Sequence, residues 1–291
     1  MFKLKDSKNP YELDMEVSST VEKTIKIPAL TEKNRNFIEA VVKLDSRYGK
    51  EAIINKPSDT VLKELQWLSK QTEFVEDTLS FSIIPGEDNY LGSTHYWFDA
   101  IKNNLNNDFC NLLGALYNIN LTNSTRRSYR EIFYKAKNLR EKLNNKLDFN
   151  TLKNELSKDF SQNCNNHIIS YLTYPGQNGA CTLSLASKFC SYACEYFGLD
   201  KSYSKYDTIV SDNLKYYIDA YLTDEQDLSK DYNKFRDSKF KVNGQGKKFE
   251  RSLKVYQAYS YFIERIIEKL AVKKVSINKN ELDHIIWYSK K

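Results

Sequence analysis

PGQNGACTLSLASKFCSYACEYFGLDKSYSKYD, residues 175–207, joins a tight glycine turn, a helical stretch bearing Lys188, and a downstream Asp207. The apolar helical segment HIISYLTY, residues 167–174, precedes the turn, and a second helix is expected to begin near Ala180. That order is helix, hairpin, helix. Glycines let a turn approach a phosphate closely, and the N–H groups at the start of the second helix, with the positive end of its dipole, favour an anion there. Gly176, Gln177, Asn178 and Gly179 are therefore expected to contact a nucleic-acid backbone.

From Thr182 to Phe197, the residues Leu183, Ala186, Phe189, Cys190, Ala193 and Phe197 recur at the spacing of a buried helical face. Ser184, Lys188, Ser191 and Glu195 fall on the opposite side. This places Lys188 away from the scaffold, with small serines one turn on either side leaving it room to reach a ligand. Such a lysine is ordinarily a solvated one on an amphipathic helix. Asp207 follows the polar loop LDKSYSKY and opens the apolar segment TIVSDNLKYYIDAYL, where an aspartate routinely serves as a helix N-cap. A carboxylate at a helix start can also face a cleft.

SLASKFCSYACEYFG followed by KYDTIV resembles a segment of the bacterial 8-oxoguanine DNA glycosylase-like proteins, which belong to the helix-hairpin-helix DNA glycosylases. The C-terminal ELDHIIWYSKK is similar to the ending of the same group, and the resemblance covers roughly residues 163–291. It implies a mainly α, two-lobed fold whose cleft presents double-stranded DNA to a base pocket. It also implies that Asp207 is the catalytic carboxylate and that Lys188, 19 positions upstream, is the nucleophile of a bifunctional enzyme. Two features depart from the family pattern. Lys188 lies nine residues after Gly179, where the better known bifunctional members have their lysine just after the hairpin, at a position nearest here to Cys181 or Thr182. The hairpin also reads PGQNG rather than the tighter Gly-x-Gly form.

The 291 residues, 41% of them hydrophobic, suffice for one large domain or two small lobes. The expected division is residues 1–90, helical and mixed, and residues 91–291, the glycosylase-like region with its hairpin at about 167–197. The chain shows neither a long apolar run nor the apolar core of a signal peptide at MFKLKDSKNPYELD, so a soluble, cytoplasmic monomer away from membranes is expected. Five cysteines without regular spacing suit a reducing compartment. The net charge is +6, and residues 201–291 carry all of the excess, with 19 Lys and Arg against 13 Asp and Glu. KFKVNGQGKKFER, residues 239–251, concentrates it in an expected glycine-containing loop, where Lys247 and Lys248 are candidates for phosphate contact.

Alternation in VSSTVEKTIKIP, residues 17–28, is compatible with a short strand pair. Thr31 should cap a helix carrying Phe37, Ile38, Val41 and Leu44 that ends near Gly49, and Ser58 should start another. Pro85-Gly86 breaks a strand or loop. Trp97, Phe98, Ile101, Leu105, Phe109, Leu112, Leu113 and Leu116 define one long buried helix, and a basic helix follows with Arg126, Arg127 and Arg130 at its start. Further helices are expected from Asn150 and over about 208–222, 228–238, 250–273 and 279–288. The fold class expected is thus mainly α, with short strands confined to the N-terminal region.

A glycosylase must flip its nucleotide to reach the bond between base and sugar, and aromatic side chains stack on the extruded base. Tyr192, Tyr196, Tyr203 and Tyr206 are candidates, though most tyrosines of such a chain serve packing. Cys164, His167, Cys181, Cys190 and Cys194 cluster in sequence but lack paired Cys-x-x-Cys spacing, so neither metal nor other cofactor is expected. His95 and His284 have no companion motif. The substrate implied is oxidised guanine or another modified base, including a modified phage base excised in antiviral defence. The alternatives are a helix-hairpin-helix DNA-binding protein without catalysis, and a helical interaction module whose hairpin is a simple connection.

Overall fold

The computed structural model describes residues 2–5, 12–17, 23–44, 83–84, 87–88, 93–105, 107–123, 125, 127–160, 165, 167–175, 180–200, 202–223, 232 and 245–288. Three strands open the chain as an antiparallel meander: β1 (Phe2–Lys5), β2 (Glu12–Val17) and β3 (Lys23–Pro28). Leu4 lies opposite Met15, and Met15 opposite Ile25, so apolar residues share one row of the sheet. The helix α1 (Glu32–Leu44) follows, and Thr31 Oγ1 caps it by accepting from the Asn34 amide at 3.2 Å. A minimal hairpin, β4 (Ile83–Ile84) with β5 (Glu87–Asp88), brackets Pro85-Gly86.

The remainder is helical: α2 (Thr94–Asn103), α3 (Asp108–Thr122), α4 (Tyr129–Lys142), α5 (Phe149–Ser157), α6 (Ile168–Thr173), α7 (Leu183–Phe197), α8 (Thr208–Tyr221), α9 (Gln245–Val272) and α10 (Lys279–Tyr288). The protein is mainly α. Among the described residues, no helix is long and apolar enough to cross a membrane. The helices expected after Ser58 and over 228–238 lie outside the described residues, apart from the buried, helical Tyr232.

Two compact units divide the chain, and they differ from the 1–90 and 91–291 expected: one is residues 45–203, the other joins residues 1–44 to 204–291. The second is built by long-range returns. In it α8 packs on α9 and α10, and α1 and β3 pack on α10. Arg35 Nη1 donates to the Ser276 carbonyl at 2.5 Å, the Leu30 amide donates to the Tyr221 hydroxyl at 2.9 Å, and His284 Nδ1 sits 2.7 Å from Glu39 Oε1. Phe37, placed inside by periodicity, is 63% exposed. Asn34 explains the rotation: it is buried, and its Nδ2 donates to the Ala29 carbonyl at 2.8 Å, which turns the inward row of α1 onto Asn34.

In the 45–203 unit, the single long helix expected from Thr94 is two. Asn104 adopts the left-handed conformation at φ 50°, which ends α2, and Asn107 caps α3 by accepting from the Phe109 amide at 2.9 Å. Leu105 between them is consequently 59% exposed. The two helices meet at Gly114, where a Cβ would lie 2.3 Å from Trp97 Cδ2. Only a residue without a side chain lets α3 approach the indole this closely. Gly114→Ala is expected to destabilise the protein by about 3 kcal/mol, because the buried Trp97 has no space to retreat into; urea denaturation measures it, and a loss below about 1 kcal/mol contradicts the packing argument.

The centre of this unit is α7, which packs against α2, α3, α5 and α6. Phe98 of α2 stacks on Tyr196 at 5.2 Å between ring centroids and meets Phe189 and Phe197 at 5.5 and 5.7 Å. His167 caps α6: its Nδ1 accepts from the Ile169 amide at 3.4 Å. Accepting at Nδ1 puts the proton of the neutral ring on Nε2, which lies 3.2 Å from the Lys158 carbonyl and 3.0 Å from the Tyr203 hydroxyl.

Candidate functional site

Lys188 is the sixth residue of α7, and the expectation that it points away from the scaffold is corrected: it is only 7% exposed. The expected inward face is buried, but Ser187 and Ser191 are buried as well, leaving Glu195 on the exposed side. Helices pack around α7 on more than one side, and its serines are small enough to admit them closely. Lys188 Nζ donates to the Asn123 carbonyl at 3.4 Å, at the C-terminal end of α3, and Tyr192 one turn along donates its hydroxyl to Asn123 Oδ1 at 3.2 Å. The amine is therefore led along the helix to a polar edge rather than into solvent.

Asp207 belongs to the other unit and is half-buried. Its Oδ1 accepts from the Ile209 amide at 2.8 Å, making it the N-cap of α8, and the helix dipole favours its charge there. The strand of backbone leading to it is held from α9. Tyr256 donates to the Ser204 carbonyl and Tyr259 to the Lys205 carbonyl, both at 2.9 Å, and Ser260 Oγ donates to Ser204 Oγ at 3.2 Å. These three residues lie at positions i, i+3 and i+4, one face of a helix. Burial, with Asp283, Tyr232, Asp207 and Tyr206 nearby, pushes the Tyr259 phenol well up, so it stays a donor. Tyr206 packs edge-on against Tyr259 at 5.2 Å.

The turn residues Gly176, Gln177, Asn178 and Gly179 lie outside the described residues, but both ends of the turn are described. The second helix starts at Leu183, not near Ala180. Thr182 N donates to the Thr173 carbonyl at 3.3 Å and Thr182 Oγ1 to the Leu172 carbonyl at 2.6 Å, which ties the start of α7 to the end of α6. With its hydroxyl so engaged, Thr182 makes no side-chain cap bond to α7.

A row of side chains on α4, which sequence reasoning missed, braces these ends. Glu131 Oε1 accepts from the Ala180 amide at 3.3 Å, and Asn138 Nδ2 donates to the Tyr171 carbonyl at 2.7 Å. Between them Lys135, 4% exposed, donates from Nζ to the carbonyls of Thr173 at 3.4 Å, Ala180 at 3.1 Å and Tyr174. Burial lowers its pKa to about 8; Glu131 and Cys181 oppose the shift and Arg127 adds to it. The spacing i, i+4, i+7 was visible, yet it reads equally as a solvated face.

Other expected contributors have ordinary surroundings. Arg127 pairs with Glu131 at 3.7 Å, while Arg126 lies outside the described residues. Lys247 and Lys248 are not in a loop: α9 begins at Gln245 and takes both into its first turn, where Lys248 is exposed. Tyr192 and Tyr206 are buried and Tyr203, whose hydroxyl donates to the Leu156 carbonyl at 2.9 Å, is fully so, which fits packing. Cys164 lies outside the described residues, and Cys110, Cys181, Cys190 and Cys194 are free thiols. Among the described residues no group of three or more His, Cys, Asp or Glu side chains is placed to hold a metal ion. No protein-family model, curated protein or solved structure matches the chain.

Proposed function

We propose that the protein is a DNA N-glycosylase that flips a modified or damaged base out of duplex DNA, cuts its bond to the sugar and leaves an abasic site. The observation that carries this reading is the setting of Asp207: a half-buried carboxylate at a helix start, its approach fixed by three side chains of α9. As the base departs, positive charge develops at C1′, and a carboxylate held in place beforehand stabilises it without reorganising. Asp207 would then take a proton from water as the oxygen bonds to C1′, while the base leaves with the electron pair of the C1′–N bond and takes a proton from solvent water. The resemblance of residues 163–291 to the 8-oxoguanine DNA glycosylase-like proteins supports the substrate class, a modified purine or a modified phage base met in antiviral defence.

The burial of Lys188 against the Asn123 carbonyl favours a second reading, a helix-hairpin-helix protein that binds DNA without catalysis. One assay separates the two. Duplexes carrying 8-oxoguanine, uracil, alkylated bases or hypermodified cytosines are incubated with the protein and scored for abasic sites. Release from at least one duplex is the expected result; binding to all without release from any favours the second reading. Affinity should also fall steeply as salt rises, since phosphate contacts release counterions. Salt-independent binding contradicts both.

A further inference from the structure

We infer that Lys135 is a positioning residue for DNA-backbone binding: its ammonium gathers the carbonyls of Thr173, Tyr174 and Ala180 and so sets the separation of the two limbs that enter and leave the glycine turn. The inference rests on the DNA-binding reading of that turn and adds the device that shapes it. Three carbonyl oxygens carry like partial charges and repel one another when brought together without water. An ammonium has three protons and no acceptor, so it can satisfy one carbonyl with each. Lys135 does this across a gap in sequence: Thr173 and Tyr174 close α6, Ala180 leads into α7, and the lysine comes from α4.

The flanking bonds have the same sense. Glu131 takes the amide of Ala180 while Lys135 takes its carbonyl, so both polar groups of that peptide neighbourhood are anchored to one helix. Asn138 holds the Tyr171 carbonyl one turn further along. A buried cation without a directly bonded carboxylate is costly, and an apolar residue of similar volume would spare that cost. What the lysine provides is geometry: together with the bonds of Thr182 to the Leu172 and Thr173 carbonyls, it ties the limb that ends α6 to the limb that leads into α7.

This makes the arrangement sensitive to pH. The groups facing the amine are Glu131 from α4, Arg127 two residues before that helix, and Cys181 two residues before α7; the end of α6 offers its backbone carbonyls. The charge is present below a pKa of about 8 and lost above it, and the neutral amine has two protons for three carbonyls. DNA phosphates and ordinary surface lysines and arginines do not titrate between about pH 7 and pH 9. Thiols and the α-amino group do titrate there, so a loss of affinity in that window reports Lys135 when it disappears in both Lys135→Met and Lys135→Arg.

Binding of a fluorescent duplex is measured by anisotropy at fixed salt across about pH 7 to 9 for the wild type, Lys135→Met and Lys135→Arg. The wild type is expected to weaken by about tenfold across the window, Lys135→Met to be about tenfold weaker at the low end and flat, and Lys135→Arg to be flat because its charge persists. Hydrogen exchange at the Ala180 and Thr182 amides, corrected for the intrinsic rate, is followed in the same proteins without DNA. Faster exchange in Lys135→Met, with the α4 and α7 interiors unchanged, supports the brace and shows that the variant folds. A Lys135→Met protein with wild-type affinity and pH profile overturns the inference. Should the wild type bind no duplex at all, the DNA reading fails, and unchanged exchange in Lys135→Met then overturns the brace too.

Discussion

Asp207→Asn is expected to leave the fold and the affinity for DNA in place and to lower base release on the order of a thousandfold. The substitution isolates charge from structure. Asp207 spends Oδ1 on the Ile209 amide, and asparagine caps a helix about as well as aspartate through the same oxygen. What asparagine lacks is the negative charge; its loss at a helix start costs less than about 1 kcal/mol of stability, but at a sugar turning cationic it removes the main stabilising interaction. The bonds from Tyr256, Tyr259 and Ser260 to residues 204 and 205 do not involve the carboxylate, so the local backbone keeps its course. Single-turnover excision and equilibrium binding, measured on one duplex, decide the matter. Excision within tenfold of the wild type would remove Asp207 from the chemistry, and a parallel loss of affinity would make it a structural residue.

How legible these features were in the sequence depended on how far each cause lay along the chain. The N-cap role of Asp207 and of Thr31 depends on residues two or three positions away, and both stand as expected. The inward face of α7 was also readable, because apolar side chains at helical spacing are buried wherever the helix is placed. Its other face was misread because periodicity equates polar with solvated, whereas Ser191 is small enough to be packed over and a lysine has a long apolar stem. The break at Asn104 was missed under a run of well-spaced apolar residues, although asparagine is the residue most at ease at positive φ after glycine. The brace was beyond local reading altogether: Glu131 and Lys135 look like a surface pair at i, i+4, and nothing near them says that their partners are backbone atoms 38 to 49 residues on. The same holds for the joining of residues 1–44 to 204–291, which is made by contacts such as Glu39 to His284, 245 positions apart.

Where borohydride traps a covalent adduct between protein and DNA, Lys188→Met is expected to abolish it. In a bifunctional enzyme the amine nitrogen attacks C1′ as the base leaves, the sugar ring opens to an iminium, and hydride from borohydride reduces that C=N bond to a stable amine. Methionine is close to lysine in length and apolar, so it suits a site that is 7% exposed, and the bond to the Asn123 carbonyl that it gives up, at 3.4 Å, is long and worth about 1 kcal/mol or less. A folded variant without an adduct therefore speaks to the amine itself. The substitution at Lys135 makes the control sharp, because the same change of lysine to methionine on a second buried lysine of the same unit should weaken DNA binding while an adduct still forms at saturating protein. The two lysines are told apart by readout, not by degree of damage. An adduct that survives in Lys188→Met and vanishes in Lys135→Met would transfer the nucleophile to α4 and overturn both assignments together, and base release by the wild type that leaves intact abasic strands and no adduct would leave Asp207 to act with water alone.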